Sequence, residues 1–262
     1  MSNAALHVAR TGLDAENTRM RVIANNLANV NTTGFKRDRA DFQTLAYQQM
    51  QAAGANSSAD NKFATGLSLG SGVNLVGTSR IETQGAMVST DNALDMAIEG
   101  NGYFQLQRPD GTTAYTRAGN FSLTAEGTLV SSEGLQVVPQ IQVPEGAMAV
   151  TIGNDGTVSA TLQGETAPTE LGRIEIARFV NPAGLQSEGS NLLVETAASG
   201  APQVGAAGLD GRGTIRQGML EGSNVNVVEE LVDMIETQRA YEVNSKMIKA
   251  SDEMLQYVNQ QL

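Results

Sequence analysis

The side chains able to do covalent or metal chemistry are few and scattered through these 262 residues. His7 is the single histidine, and there is no cysteine. Disulfides, zinc thiolates and thiol nucleophiles are therefore excluded, and one imidazole without clustered partners builds neither a catalytic nor a metal site. Asp91, Asp95 and Glu99 are close in sequence, but no nucleophile or metal context accompanies them, so they read as solvated carboxylates. The Gly pairs of "GSGV" at 70–73 and "EGNGYF" at 99–104 neither follow a strand nor open a helix, so they read as turns, not phosphate cradles. "GNDG" lacks the further ligands of a calcium loop. No catalytic residue, metal site or cofactor is expected. The remaining chemistry is that of amides: Asn25, Asn26, Asn29 and Asn31 crowd into "ANNLANVNTTGFKR" at 24–37. Amides donate and accept without a charge to desolvate, which suits a buried polar contact.

Helical sequence must position those amides, although asparagine is a poor helix-interior residue. From residue 3 to about 31 there is no proline, and Gly12 is the one glycine. Leu6, Leu13, Met20 and Leu27 recur every seventh residue, with Ala9, Ile23 and Val30 in the second position of the heptad and Glu16 breaking it once. The C-terminal end repeats the pattern with Val227, Met234, Tyr241, Ile248 and Leu255, widened by Leu231 and others. Asn226 followed by Glu229 resembles a capping box and predicts a helix from about 226 to 260. Gly34 is expected to stop the first helix in a left-handed turn, with Phe35 leading the chain outward.

Between these ends the chain is β-rich. "GYFQLQRPDGTTAYTR" and "MAVTIGNDGTVSATLQ" each read as strand, Asp-Gly turn, strand, and "GRIEIARFV" as a strand with Ile174, Ile176 and Phe179 its apolar positions. Residues 41–72 have no firm period and read as a linker or irregular extended segment. The expected fold is α+β: N- and C-terminal heptad helices forming a discontinuous coiled-coil domain (1–40 and 220–262), an extended bridging segment (41–75), and an inserted all-β domain (76–219). Two helices side by side bury only part of each stripe, so the ends are expected to need neighbouring copies.

Charge narrows the partners. With 17 Lys+Arg against 28 Asp+Glu the net charge is −11, a sign that repels phosphate, so no nucleic acid is expected. No stretch is long enough to span a membrane, and the opening residues lack the apolar run of a secretory signal. That predicts a cytoplasmic protein, or one that leaves by a route needing no cleaved signal.

"ANNLANVNTTGFKR" resembles the N-terminal signature of bacterial flagellar axial proteins, the rod, hook and hook-associated subunits. "SNVNVVEELVDMIETQRAYEVNSKMI", 223–248, resembles the matching C-terminal signature, and 95–137 is similar to the inner β domain shared by hook and distal-rod proteins. The segment 47–73 looks like the one that marks the distal rod. The resemblance implies a structural subunit, not an enzyme, that polymerises into a rigid hollow helical shaft crossing the periplasm and transmitting torque. It further implies, as partners, copies of itself, the proximal rod and hook subunits, the P and L rings, the export apparatus and the rod cap. The subunit interface would be carried by Leu6, Leu13, Met20, Ile23, Asn25, Asn26, Leu27, Asn29, Val30, Val227, Leu231, Met234, Tyr241, Ile248 and Leu255. The alternatives are a rod–junction subunit or hook-type protein of the same family, and, from another class, a secreted β-scaffold binding module with dimerisation helices.

Overall fold

A computed structural model describes residues 2–54, 64–162 and 167–261, with the side chains of 2–5, 255 and 258–261 outside the description. It is α+β, a helix at each end and a β-rich middle, and it divides into two compact units. Unit 1 comprises residues 1–27, 38–79 and 226–262; unit 2 comprises 28–37 and 80–225.

Unit 1 contains α1 (Ser2–Ala28), α2 (Val227–Gln261) and four strands: β1 (Asp38–Thr44), β2 (Tyr47–Gln51), β3 (Leu67–Gly70) and β4 (Val73–Arg80). α2 begins as its sequence predicts, with the Val228 N–H donating to Asn226 Oδ1 at 3.1 Å. α1 stops at Ala28, six residues before Gly34, and the chain leaves through successive turns in which Thr32 N–H donates to Asn29 O and Phe35 N–H to Thr32 O. Gly34 is therefore not the helix stop. It is left-handed (φ 70°) for a packing reason: a Cβ there would lie 2.7 Å from Ala118 N and Arg117 C.

The stretch from 41 to 72 is not irregular where it is described. β1 pairs with β4 and β2 with β3, joined by the Leu45 N–H to Gly72 O bond, into one antiparallel ribbon. Both faces of its outer part are exposed. Without a buried face the strands carry no alternation of apolar and polar residues, which is why periodicity misses them.

Unit 2 holds a nine-stranded sheet, a three-stranded sheet and two strand pairs. In chain order its strands are β5 (Met87–Ser89), β6 (Met96–Glu99), β7 (Tyr103–Gln107), β8 (Thr113–Thr116), β9 (Phe121–Leu123), β10 (Leu129–Ser131) and β11 (Gln136–Val137). There follow β12 (Ala147–Ile152), β13 (Thr157–Leu162), β14 (Thr169–Arg173), β15 (Glu175–Arg178), β16 (Gln186–Gly189), β17 (Leu192–Val194), β18 (Gln203–Ala206), β19 (Thr214–Gln217) and β20 (Met219–Glu221). The large sheet runs β16-β17-β8-β7-β11-β10-β9, with β15 also pairing β7 and β18.

Both predicted hairpins form: β7–β8 turns at Asp110-Gly111, with Gln107 opposite Thr113, and β12–β13 turns at Asp155-Gly156, with Ile152 opposite Val158. Each turn aspartate accepts the N–H and hydroxyl of the threonine two residues on, and these bonds hold its carboxyl below the usual range. Met96, Ile98, Phe104, Leu106, Ile174, Ile176 and Ile215 fill the main core. A second cluster stacks Tyr103 and Tyr115 edge-on against Phe179.

Candidate functional site

Among the described residues no group of three or more His, Asp or Glu could hold a metal ion, and no helix is long and apolar enough to cross a membrane. Unit 1 is organised around Asn26, which is 2% exposed. Its amide group donates Nδ2–H to Asp38 O at 2.9 Å and accepts the Asp38 N–H on Oδ1 at 3.0 Å, so it pairs with β1 as another strand would. The same nitrogen reaches the Glu230 carboxylate of α2 at 3.2 Å. An amide can fill this position because it offers a donor and an acceptor together; aspartate would bring two buried carboxylates face to face.

The ribbon then runs back along α1. His7 Nδ1–H donates to Ser71 O at 3.3 Å, and the Val73 N–H donates to Thr11 Oγ1 at 3.4 Å. The 15 or so helical residues between Thr11 and Asn26 span about 22 Å, and a seven-residue strand spans about 23 Å, so β1 and β4 match that length of helix. His7 is thus a tether to the ribbon. Within the ribbon, Asp41 is held below the usual carboxylate range by Ser79 and, next, by Arg39 at 3.0 Å.

α2 packs antiparallel to α1. Asn26 meets Glu230, Arg19 lies 3.7 Å from Asp233, and Gly12 faces Asn244, where a Cβ would come within 3.0 Å of Nδ2. The inward row of α2 is Glu230 and Thr237, both buried, then Asn244 and Ser251, both half-buried, recurring every seventh residue. The apolar heptad masks this polar row in the sequence, although Glu230, Thr237, Asn244 and Ser251 keep the same spacing of seven.

The apolar series flanks that row or faces away from it. Met234 and Ile248 are half-buried, while Val227, Leu231 and Tyr241 are exposed; Leu255 lies outside the described side chains. On the opposite side of α2, Val228 is 70% exposed, Val232 50% and Ile235 51%, and with Leu231 they make one i, i+3, i+4, i+7 patch. On α1, Ile23 is buried, Leu6, Leu13, Met20, Leu27, Asn29 and Val30 are half-buried, and Asn25 is exposed. Asn26 is corrected: buried inside unit 1 with its amide engaged there, it presents nothing to a neighbouring molecule. The outer ribbon adds exposed Tyr47, Met50, Leu67 and Leu69. What the arrangement offers is association, since exposed apolar patches on a helix and a ribbon favour contact with another surface.

Comparison with known proteins bears on both helical ends and on part of unit 2. Residues 6–36 match the family model described as flagella basal body rod protein, residues 97–160 the flagellar hook protein FlgE/F/G D1 domain, and residues 216–261 the flagellar basal body rod FlgEFG protein C-terminal. The flagellar basal-body rod protein FlgG of Buchnera aphidicola subsp. Schizaphis graminum is 52% identical over 256 residues, 98% of each chain. That of Caulobacter vibrioides is 46% identical over 257 residues, again 98% of each. The rod protein FlgF of Caulobacter vibrioides is 36% identical over 89% of this chain and 87% of its own.

Proposed function

The chain belongs to the flagellar basal-body rod protein family, and from that premise we propose that its helical ends and ribbon are assembly faces completed only by neighbouring copies. It is a structural subunit of the distal rod and not an enzyme; its place is the flagellar basal body, where it self-assembles into the rod with other flagellar components.

The observation that carries the assembly reading is the outward apolar patch Val228, Leu231, Val232 and Ile235, on a helix whose inward row is polar. A neighbour's unlike surface covers that patch, a heterologous contact that does not close and so grows a filament. Leu6, Leu13, Met20, Leu27, Val30, Asn25 and Asn29 of α1, with Val227, Leu231, Met234, Tyr241, Ile248 and Leu255 of α2, supply the contacts, while Ile23, buried within unit 1 like Asn26, does not; packed copies of the two helices line a hollow tube as coiled-coil layers. The segment 41–75 bridges subunits and stiffens the tube. The shaft crosses the periplasm, joins the proximal rod to the hook and turns inside the P and L rings, after export through the flagellar channel and growth beneath the rod cap. Electron microscopy of purified protein at high concentration tests the reading: tubes support it, and discrete dimers contradict it. Deleting 47–65 tests the bridge, with a tube of lower bending rigidity expected and unchanged rigidity counting against it.

A further inference from the structure

Among the described residues of unit 2, one carboxylate is completely buried. Glu221, at the end of β20, has no exposed surface. Its Oε1 receives the Lys36 ammonium at 2.6 Å and the Gly85 N–H at 3.0 Å, and its Oε2 receives Arg117 Nη1–H at 3.2 Å. Lys36 also donates to Thr83 O at 2.8 Å. Arg117 donates to Ile98 O at 3.1 Å and Gly100 O at 2.6 Å, with its guanidinium carbon 5.5 Å from the centre of the Tyr103 ring. Backbone bonds follow the same paths: Gly34 N–H to Glu221 O at 2.7 Å, Gly222 N–H to Ala86 O at 2.8 Å, and Arg37 N–H to Asn224 Oδ1 at 2.7 Å. Three segments remote in sequence, 34–37, 83–86 and 221–224, therefore meet at one carboxylate, with 185 positions between Lys36 and Glu221.

We propose that Glu221 is the keystone of a two-arm clasp, so that unit 2 closes only around both the arm that follows α1 and the arm that precedes α2. A buried ion pair is a poor source of net stability, but removing one partner leaves uncompensated charge in an apolar setting. In a chain without 221–224, Lys36 and Arg117 would lose the carboxylate that bonds them both, leaving Glu82, which bonds neither but acts on Lys36 through its charge, as the remaining neighbouring anion. Burial already lowers the Lys36 pKa even with Glu221 present. The clasp thus makes closure of the β unit conditional on the C-terminal arm, and it anchors both arms to the same body in one step. It follows from the contacts of Glu221 and does not rest on the flagellar reading.

Amide hydrogen exchange on the full chain tests it. In the natural protein the Gly34, Gly85 and Gly222 amides are expected to exchange through the same opening as the core amide of Ile174. Glu221→Gln should speed exchange at those three amides about a hundred-fold or more. Adding Lys36→Met to Glu221→Gln removes one of the two stranded cations and should slow it again about ten-fold. Val158→Ala, in the main core, is the control: it should speed exchange throughout unit 2, with no relief from Lys36→Met. Should Glu221→Gln fail to fold, recovery of folded circular dichroism in the Lys36→Met, Glu221→Gln double variant supports the clasp. Unchanged exchange in Glu221→Gln overturns it. So does a Lys36→Met loss that adds to the first instead of relieving it, or a double variant that also fails to fold.

Discussion

The two units differ in what holds their elements together: an apolar core in unit 2, a largely polar row between the helices in unit 1. Unit 2 places Met96, Phe104, Ile174, Ile176 and Ile215 inside and pairs its buried Lys36 and Arg117 with Glu221. Unit 1 places Asn26, Glu230 and Thr237 inside and leaves Val228, Leu231, Val232 and Ile235 in contact with water. A filled apolar core holds a body together without a neighbour. One that turns such surface outward on a helix, behind a polar row that fixes where its partner helix lies, is built for a second contact.

The sharpest way to break the contrast is a pair of truncations. Phe104→Ala should destabilise unit 2 by about 3–5 kcal/mol, read as a shifted denaturation midpoint in near-ultraviolet circular dichroism. Leu231→Ala with Ile235→Ala should change monomer stability by less than about 0.5 kcal/mol and still abolish assembly. If the helix pair costs the monomer as much as the core residue does, the patch is covered within the chain and the contrast fails.

Next in size is Asn26→Ala, which removes two bonds to Asp38 and the contact of its Nδ2 with both Glu230 oxygens. A loss of about 1–3 kcal/mol is expected from the buried groups left without it, seen as earlier thermal loss of helical signal. No loss would mean that the polar row does not hold α1, α2 and β1 together.

A third separation uses alkali. Burial pushes Tyr115 up to about 12 and raises Tyr103 as well, with Glu82 adding to the latter. With folded values above the ordinary 10.0, the stability from keeping these phenols protonated is full below pH 10 and lost as pH rises towards 12. Lys36, lowered by burial, has the opposite sign: its penalty fades as pH rises to its ordinary 10.5, so the net loss in unit 2 is steepest above that value. Urea midpoints across this range should fall for unit 2 more than for unit 1. Equal falls would contradict the difference in burial.

The smallest expected effect on the monomer is that of Asn25→Ala, within about 0.5 kcal/mol because the residue is exposed. Sedimentation should nonetheless show weaker polymerisation. Unaffected assembly would make Asn25 ordinary solvated surface.

What the sequence disclosed follows the range of the physics. The hairpins at Asp110-Gly111 and Asp155-Gly156 are local turn chemistry, and they are legible. So are the α2 start at Asn226 and the buried positions Ile174, Ile176 and Phe179. The ribbon was not legible, because strands with both faces exposed leave no period. The heptads marked helices with two usable faces, but which face turns inward depends on Asn26 docking onto Asp38, a contact outside any helical pattern. The convergence of Lys36, Arg117 and Glu221 had no local signal, since its members stand far apart and each alone resembles surface charge.

On the assembly reading the helices of unit 1 are finished by neighbouring copies, while the core strands of unit 2 hold without them. Hydrogen exchange compared between dilute monomer and the assembled tube tests it most directly. The expected result is that amides of α1 and α2 exchange far more slowly in the tube, while those of β7, β15 and β19 hold the same protection in both. Helices protected equally in dilute monomer would contradict it.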